Sequence, residues 1–238
     1  MNISKENISA INSKLENKNA HEIIDFFITE MGEKITFGTS LGAEDQVITA
    51  IIAELKGNTP IFTLDTGRLF PETYDLIDRT NKKFNISIHP YFPLNKEVEE
   101  MVLENGINLF YDSIDLRHKC CQIRKLNPLK RALEGREAWF TGLRRSQSVT
   151  RTDMQIVEWD DNSEKIKVNP LINWSEKDVW DYIKENKIPY NPLHDKGFPS
   201  IGCQPCTRAI MEGEDVRAGR WWWENPDTRE CGLHAKKS

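Results

Sequence analysis

The chain has 238 residues, 38% of them hydrophobic and 29% charged, and a net charge of −5, the balance of a globular protein with room for one α/β core or two small ones. No apolar run reaches the length of a membrane span, and the first twenty residues are polar without an apolar h-region, so neither a membrane partner nor a secretory signal is expected. Five cysteines, an odd number, then argue against a disulfide framework and for free thiols, a metal site or catalysis in a reducing cytoplasm.

Two amphipathic helices open the chain. Ile8, Ile11 and Leu15 share one face of the first; Asn19 can cap the second, whose stripe is Ile23, Ile24 and Phe27. "KITFGTS" reads as a strand, followed by a turn and the helix "AEDQVITAIIAELKG", which stops at Gly57. "PIFTLD" is a second strand, and Pro71 suits the first turn of "PETYDLIDRTNKKF". "NISIHPYF" and "KEVEEMVLENG" add a third strand and a helix. This β-α-β-α-β succession predicts parallel strands with right-handed crossovers and helices on both faces. After a basic segment, "AWFTGL" is a buried strand, "MQIVEWDDNSEKIKVNP" a hairpin turning at Asp161–Ser163, and Ser175 caps the helix "EKDVWDYIKEN". From Asn191 onward Pro, Gly and charged residues predict loops and short helices. With no repeat, low-complexity tract or linker, one domain with an irregular C-terminal tail is expected.

Charge is uneven. Between Arg117 and Arg151, ten Lys and Arg face only two acids, Glu134 and Glu137. In an acidic chain this points to a local anionic ligand rather than to a nucleic-acid-coating surface, although a solvated basic helix has the same composition. Ligands of open parallel sheets sit beyond the carboxyl ends of the strands, where three loops follow strands: residues 38–45, 64–73 and 141–151. The first, "GTSLGAED", could present backbone N–H groups at a helix N-terminus to an anion, or be only a tight turn. It is not a Walker loop, since no Gly-Lys-Ser/Thr follows.

Cys120 and Cys121 are adjacent, and a bridge between neighbours would require a strained eight-membered ring. Cys203 and Cys206 form a C-x-x-C pair; Cys231 stands alone near the C-terminus. The two pairs offer four thiolates, the number that a zinc site or a cubane iron–sulfur cluster takes. Zinc usually takes both pairs from C-x₂₋₄-C knuckles, which an adjacent pair fits poorly, and four incidental thiols are the remaining alternative.

"KCCQIRKLNPL", "IGCQPCTR" and "ECGLH", with "FGTSLGAED", "LDTGRLFPETY", "TGLRRSQSVTR" and "RAGRWWWE" in order, resemble the assimilatory adenylyl-sulfate reductases, the cluster-bearing branch of the APS/PAPS reductase family. All but about the first thirty residues take part. The resemblance implies an adenine-nucleotide α-hydrolase-like fold, shared with the ATP pyrophosphatases. It divides the single domain into N-terminal helices (1–31), an α/β core (32–190) and a cluster loop with catalytic tail (191–238). It also implies a [4Fe–4S] cluster on Cys120, Cys121, Cys203 and Cys206, and reduction of adenylyl sulfate to sulfite and AMP. By the same resemblance Cys231 is the nucleophile, assisted by His234, and an S-sulfocysteine is released by thioredoxin or a similar dithiol. The plant-type relatives carry a fused thioredoxin-like domain; none is expected here, so the resemblance implies a separate reductant. Lys125, Arg144 and Arg151 would hold phosphate and sulfate oxygens, Arg217 and Arg220 would close over the anion, and Ser40, Leu64, Thr66, Gly67 and Gly142 would line the nucleotide pocket. Arg68 is open between substrate contact and a surface ion pair; Trp221–Trp223 read as packing at the base of the tail. Homo-oligomers are compatible with the sequence, since nothing in it marks an interface. The first loop has fewer serines than in many relatives and lacks the SGGxDS of ATP-cleaving relatives, which argues against ATP. The alternatives are reduction of 3′-phosphoadenylyl sulfate (PAPS), alone or alongside adenylyl sulfate, and, more remotely, a zinc-stabilised nucleotide-binding sulfur-transfer ATP pyrophosphatase.

Overall fold

The computed structural model describes residues 3–147 and 153–225. Two short helices come first, α1 (Ile8–Leu15) and α2 (Ala20–Met31). Asn19 and Glu22 close a reciprocal capping box at the start of α2, satisfying two N–H groups that the first turn leaves without partners. Alternation then begins: β1 (Ile35–Thr39), α3 (Ala43–Glu54), β2 (Ile61–Leu64), α4 (Pro71–Phe84), β3 (Ile88–Tyr91), α5 (Asn95–Asn105). Next come α6 (Ile114–Cys121), a π-helical segment over Gln122–Leu126, and α7 (Asn127–Ala132). The sheet resumes with β4 (Ala138–Phe140), β5 (Val157–Asp160) and β6 (Lys165–Val168), and α8 (Glu176–Glu185) starts from the Ser175 cap.

The six strands lie in the order β3-β2-β1-β4-β6-β5. β1 runs parallel to β2 and β4, β4 runs parallel to β6, and the β5–β6 hairpin is antiparallel. The register aligns Phe37 with Phe140 and Phe140 with Val168, placing fully buried side chains side by side along the sheet centre. The central strands are short and buried along nearly their whole length, as expected where both faces of a sheet are covered. Gly38 is required there: a Cβ would come within 2.8 Å of the Phe62 ring. The hairpin turns where expected, with Asp160 accepting hydrogen bonds from the Asn162 N–H and the Ser163 hydroxyl.

α3 ends at Glu54, three residues before Gly57. The left-handed residue after it is Lys56 (φ +52°). Gly57 serves packing instead, since a Cβ there would lie 2.7 Å from the Ile28 side chain.

By contacts the described chain separates into two compact units, each assembled from three stretches. The first takes the chain up to Thr63, then residues 75–89 and 135–191. It holds the large apolar core, built on Ile11, Phe27, Ile35, Phe37, Ile48, Phe140 and Val168. The second takes residues 64–74, 90–134 and the chain from Pro192 onward. Its apolar cluster is small: Met101, Leu109, Phe110, Trp221 and two cysteines, Cys120 and Cys206. After α8 the described chain contains only short turns, among them 3₁₀ turns at His194–Lys196 and Gln204–Cys206.

Candidate functional site

In the first unit, the loops leaving β1 and β4 meet at one carboxylate. Asp45, in the first turn of α3, is buried. Its Oδ2 accepts hydrogen bonds from the Ser40 N–H (2.5 Å) and the Ser40 hydroxyl (2.6 Å), and the Gly142 N–H donates to the same side chain. Burial pushes the Asp45 carboxyl up to about 6, against the downward pull of these donors. Only glycine fits at position 142, because a Cβ there would collide with the Asp45 carboxylate. The neighbouring Glu44 accepts from Arg144 Nε at 2.8 Å, and Arg144 Nη1 donates to the Ser146 hydroxyl. Three expected substrate contacts, Ser40, Gly142 and Arg144, are thus held by two adjacent carboxylates.

In the second unit, α6 and the C-x-x-C turn bring four thiols to one pocket. Cys120, Cys121, Cys203 and Cys206 line it together with Arg68, Arg117, Arg124, Lys125, Arg220, Phe110, Pro205 and Trp221. Burial pushes Cys206 up to about 12, with Cys203 adding to the rise, and pushes Cys120 upward against the pull of Arg124. The Thr66 hydroxyl lies 3.2 Å from Cys203 Sγ, and Arg124 Nη1 donates to the Thr66 carbonyl at 2.6 Å. Gly67 takes φ +70°, which suits glycine, and its N–H donates to Asp65 Oδ1. Tyr74 donates to the same oxygen at 2.9 Å.

Trp221, which lines this pocket, begins the turn Trp221–Glu224. The guanidinium groups of Arg117 and Arg220 both lie over the Trp221 ring, 4.9 and 4.6 Å from its centroid. Arg117 also donates from Nε and Nη2 to the two carboxylate oxygens of Glu224, at 2.9 and 2.8 Å. The side chains of this pair are 0% and 3% exposed. Such a pair adds little net stability over an apolar replacement, but removing one partner costs about 3–5 kcal/mol. Trp221 itself adopts φ +42°, a left-handed conformation costing a bulky residue about 1–2 kcal/mol.

A model of the phosphoadenosine phosphosulfate reductase domain matches residues 34–209. The chain belongs to the phosphoadenosine phosphosulfate reductase family. Curated relatives include the adenosine 5'-phosphosulfate reductase of Allochromatium vinosum, 54% identical over 86% of this chain and 80% of that one. The Burkholderia cepacia protein of the same name is 49% identical over 90% and 86%. Among solved structures, the phosphoadenylyl-sulfate (PAPS) reductase of Candida auris superposes with a TM-score of 0.75 at 30% identity, covering 88% of this chain and 99% of that one. Yeast FAD synthetase, at 14% identity and a TM-score of 0.54 over 88% and 70%, shares the fold alone.

The family fold thus carries the expected α/β, mostly parallel sheet, and it gathers some of the expected site residues. Lys125 and Arg220 join the four cysteines, and Thr66 touches one of them. Leu64 closes β2 half-buried, and Arg217 is half-buried outside the pocket lining. Arg151, Cys231 and His234 lie outside the described residues. Arg68 makes no surface ion pair among the described residues; it donates to Asn108 Oδ1 and the Ile107 carbonyl, and lines the thiol pocket. Trp221–Trp223 do pack, on Phe110 and Tyr111 as well as on the arginines.

Sequence reasoning passed over Arg117, Arg124, Asp45 and Glu224. Helical spacing could have found the first two: Arg117 precedes Cys120 by three residues and Cys121 by four, and Arg124 follows them by four and three. Arg124 Nε is buried with no hydrogen-bond partner among the described residues.

Among the described residues no group of three or more His, Cys, Asp or Glu side chains is placed to hold a metal ion as it stands. The chemistry of the pocket nevertheless suits a thiolate-bound group. Buried thiols ionise against a compensating metal charge, and the Arg and Lys side chains around them match the negative charge of a four-thiolate cluster. No helix among the described residues is long and apolar enough to cross a membrane.

Proposed function

We propose that this family member reduces adenylyl sulfate to sulfite and AMP, with thioredoxin as reductant, in cytoplasmic sulfate assimilation. The observation that carries the reading is the gathering of four cysteines and several cations around one pocket, in a chain 54% and 49% identical to proteins named adenosine 5'-phosphosulfate reductase.

Substrate contacts are assigned unit by unit. In the first, Ser40, Gly142 and Arg144 are the candidates, with Arg151 beyond the described residues; in the second, Leu64, Thr66, Gly67, Lys125, Arg217 and Arg220. Guanidinium and ammonium groups suit phosphate and sulfate oxygens and stabilise the charge that builds as sulfur is attacked. Cys120, Cys121, Cys203 and Cys206 would hold one [4Fe–4S] cluster, which supplies local electrostatics and a fixed geometry.

The Cys231 thiolate attacks the sulfate sulfur, the S–O bond to AMP breaks, and AMP leaves with the electron pair, giving S-sulfocysteine; His234 assists beside the thiolate. A thiolate of reduced thioredoxin then attacks Cys231 Sγ, and sulfite leaves with the S–S electron pair. The second thioredoxin thiol resolves the mixed disulfide, so one dithiol is oxidised for each sulfate reduced.

The test is kcat/KM for adenylyl sulfate and for PAPS with reduced thioredoxin. Adenylyl sulfate is expected to be used far better. Equal values would make this a dual-substrate enzyme, the reading favoured by the similarity to a PAPS reductase structure, and turnover of PAPS alone would overturn the assignment.

A further inference from the structure

Two independent ties hold the Trp221–Glu224 turn to the thiol-bearing elements. On one side, Arg117 of α6, one helical turn before the adjacent cysteines, grips both oxygens of Glu224 and stacks on Trp221. On the other, the Cys206 carbonyl accepts a hydrogen bond from the Trp221 N–H at 3.2 Å, and Thr207 bridges to Arg220. The Glu224 N–H closes the turn on the Trp221 carbonyl at 2.9 Å. Trp221 keeps its left-handed backbone inside this frame. A strained bulky residue persists only where its surroundings over-determine it, and such sites cluster where geometry matters to function. A fully buried bidentate ion pair is likewise poorly explained by net stability and better explained by specificity of arrangement.

We propose that Arg117 and Glu224 are positioning residues for sulfonate transfer. The pair fixes the turn that precedes Cys231, which stands seven residues beyond Glu224 in the sequence. Both ties end on elements that carry the four thiols, so the turn is set by the same elements as the thiol pocket. The proposal rests on the reading of Cys231 as nucleophile. Neither residue is among the substrate contacts assigned above; their effect runs through the Trp221–Glu224 turn.

The test compares wild type with Arg117→Met/Glu224→Met, which removes both charges of the pair together, and with Glu224→Gln, which keeps a hydrogen bond to Arg117. Three quantities are read on the full chain as purified: affinity for AMP, the single-turnover rate of S-sulfonate formation on Cys231, and hydrogen exchange of the Trp221 and Glu224 amides. In the double variant AMP affinity stays within about two-fold, sulfonation slows by about a hundred-fold as expected for a misplaced reacting group, and both amides exchange faster. Glu224→Gln falls between. Sulfonation at the wild-type rate, or AMP affinity and sulfonation falling by the same factor, would overturn the proposal in favour of plain packing. Absence of any sulfonate on wild-type Cys231 would sink the nucleophile reading instead; the amide exchange, which needs no substrate, still decides whether the pair holds the turn.

Discussion

The two units bury different things. The first packs aliphatic and aromatic side chains from α1, α2, α3, α8 and the sheet into one large cluster, and its loops are set by carboxylates of α3. The second has a cluster of six buried members, two of them cysteines, and also buries Arg117, Arg124 and Arg220. Every large hydrophobic side chain left exposed among the described residues, from Leu103 and Met211 to Ile114, belongs to the second unit. Apolar burial at about 25 cal/mol per Å² suffices to explain the first. The second is arranged around thiols and charges, and with the proposed cluster its order would depend on the metal.

If the four thiols hold the proposed cluster, that contrast is broken most sharply by removing its iron. Treating the protein with an iron chelator under anaerobic, reducing conditions is expected to raise amide exchange in α6 and around Cys203–Cys206 by more than about ten-fold. Protection in β1, β4 and β6 should stay unchanged, because these strands close on the apolar core. Replacing Cys120 or Cys203 with Ser should give the same pattern, with loss of iron, acid-labile sulfide and most activity. Zinc in place of iron and sulfide, or equal loosening of both units, would contradict the contrast.

A smaller effect sharpens the first unit. Asp45 has a folded-state value near 6, above the ordinary carboxylate range. A raised carboxyl binds its proton in the folded chain before the unfolded chain would, so its contribution is fully present below the unfolded value and lost as pH rises through 6. Lowering the pH from 7 to 5 should therefore stabilise wild type relative to Asp45→Asn by about 1 kcal/mol, read from urea midpoints at the two pH values. A difference that does not change with pH would mean that Asp45 is already ionised without cost.

Much of the first unit was legible in the sequence because its rules are local. Period-two and 3.6-residue patterns, the Asn19 and Ser175 caps, Pro71 at a helix start and the Asp161–Ser163 turn each act within a few residues. The insertion of β6 between β4 and β5 was not legible, since strand order depends on partners far apart in the chain. The same holds for Asp45, whose three donors come from Ser40 and from Gly142, almost a hundred residues away. In the second unit the cysteine pairs announced themselves by spacing, whereas the buried cations did not: Arg117 looks like any surface arginine until Glu224, 107 residues later, is folded onto it. The π-helical segment over Gln122–Leu126, which sets how Arg124 and Lys125 follow the cysteines, has no signature in composition.

The central claim is that Cys231 carries the sulfonate while the other four cysteines hold the pocket. Wild-type enzyme is mixed with adenylyl sulfate without any dithiol, and the peptides are weighed by mass spectrometry alongside the AMP released. The account predicts about one AMP per chain and one sulfonate, on the peptide bearing Cys231. It also predicts that Cys231→Ser, whose hydroxyl stays protonated at neutral pH, keeps its iron and binds AMP but yields neither sulfonate nor sulfite. A sulfonate on any other residue, or sulfite from the Cys231→Ser variant, would contradict it.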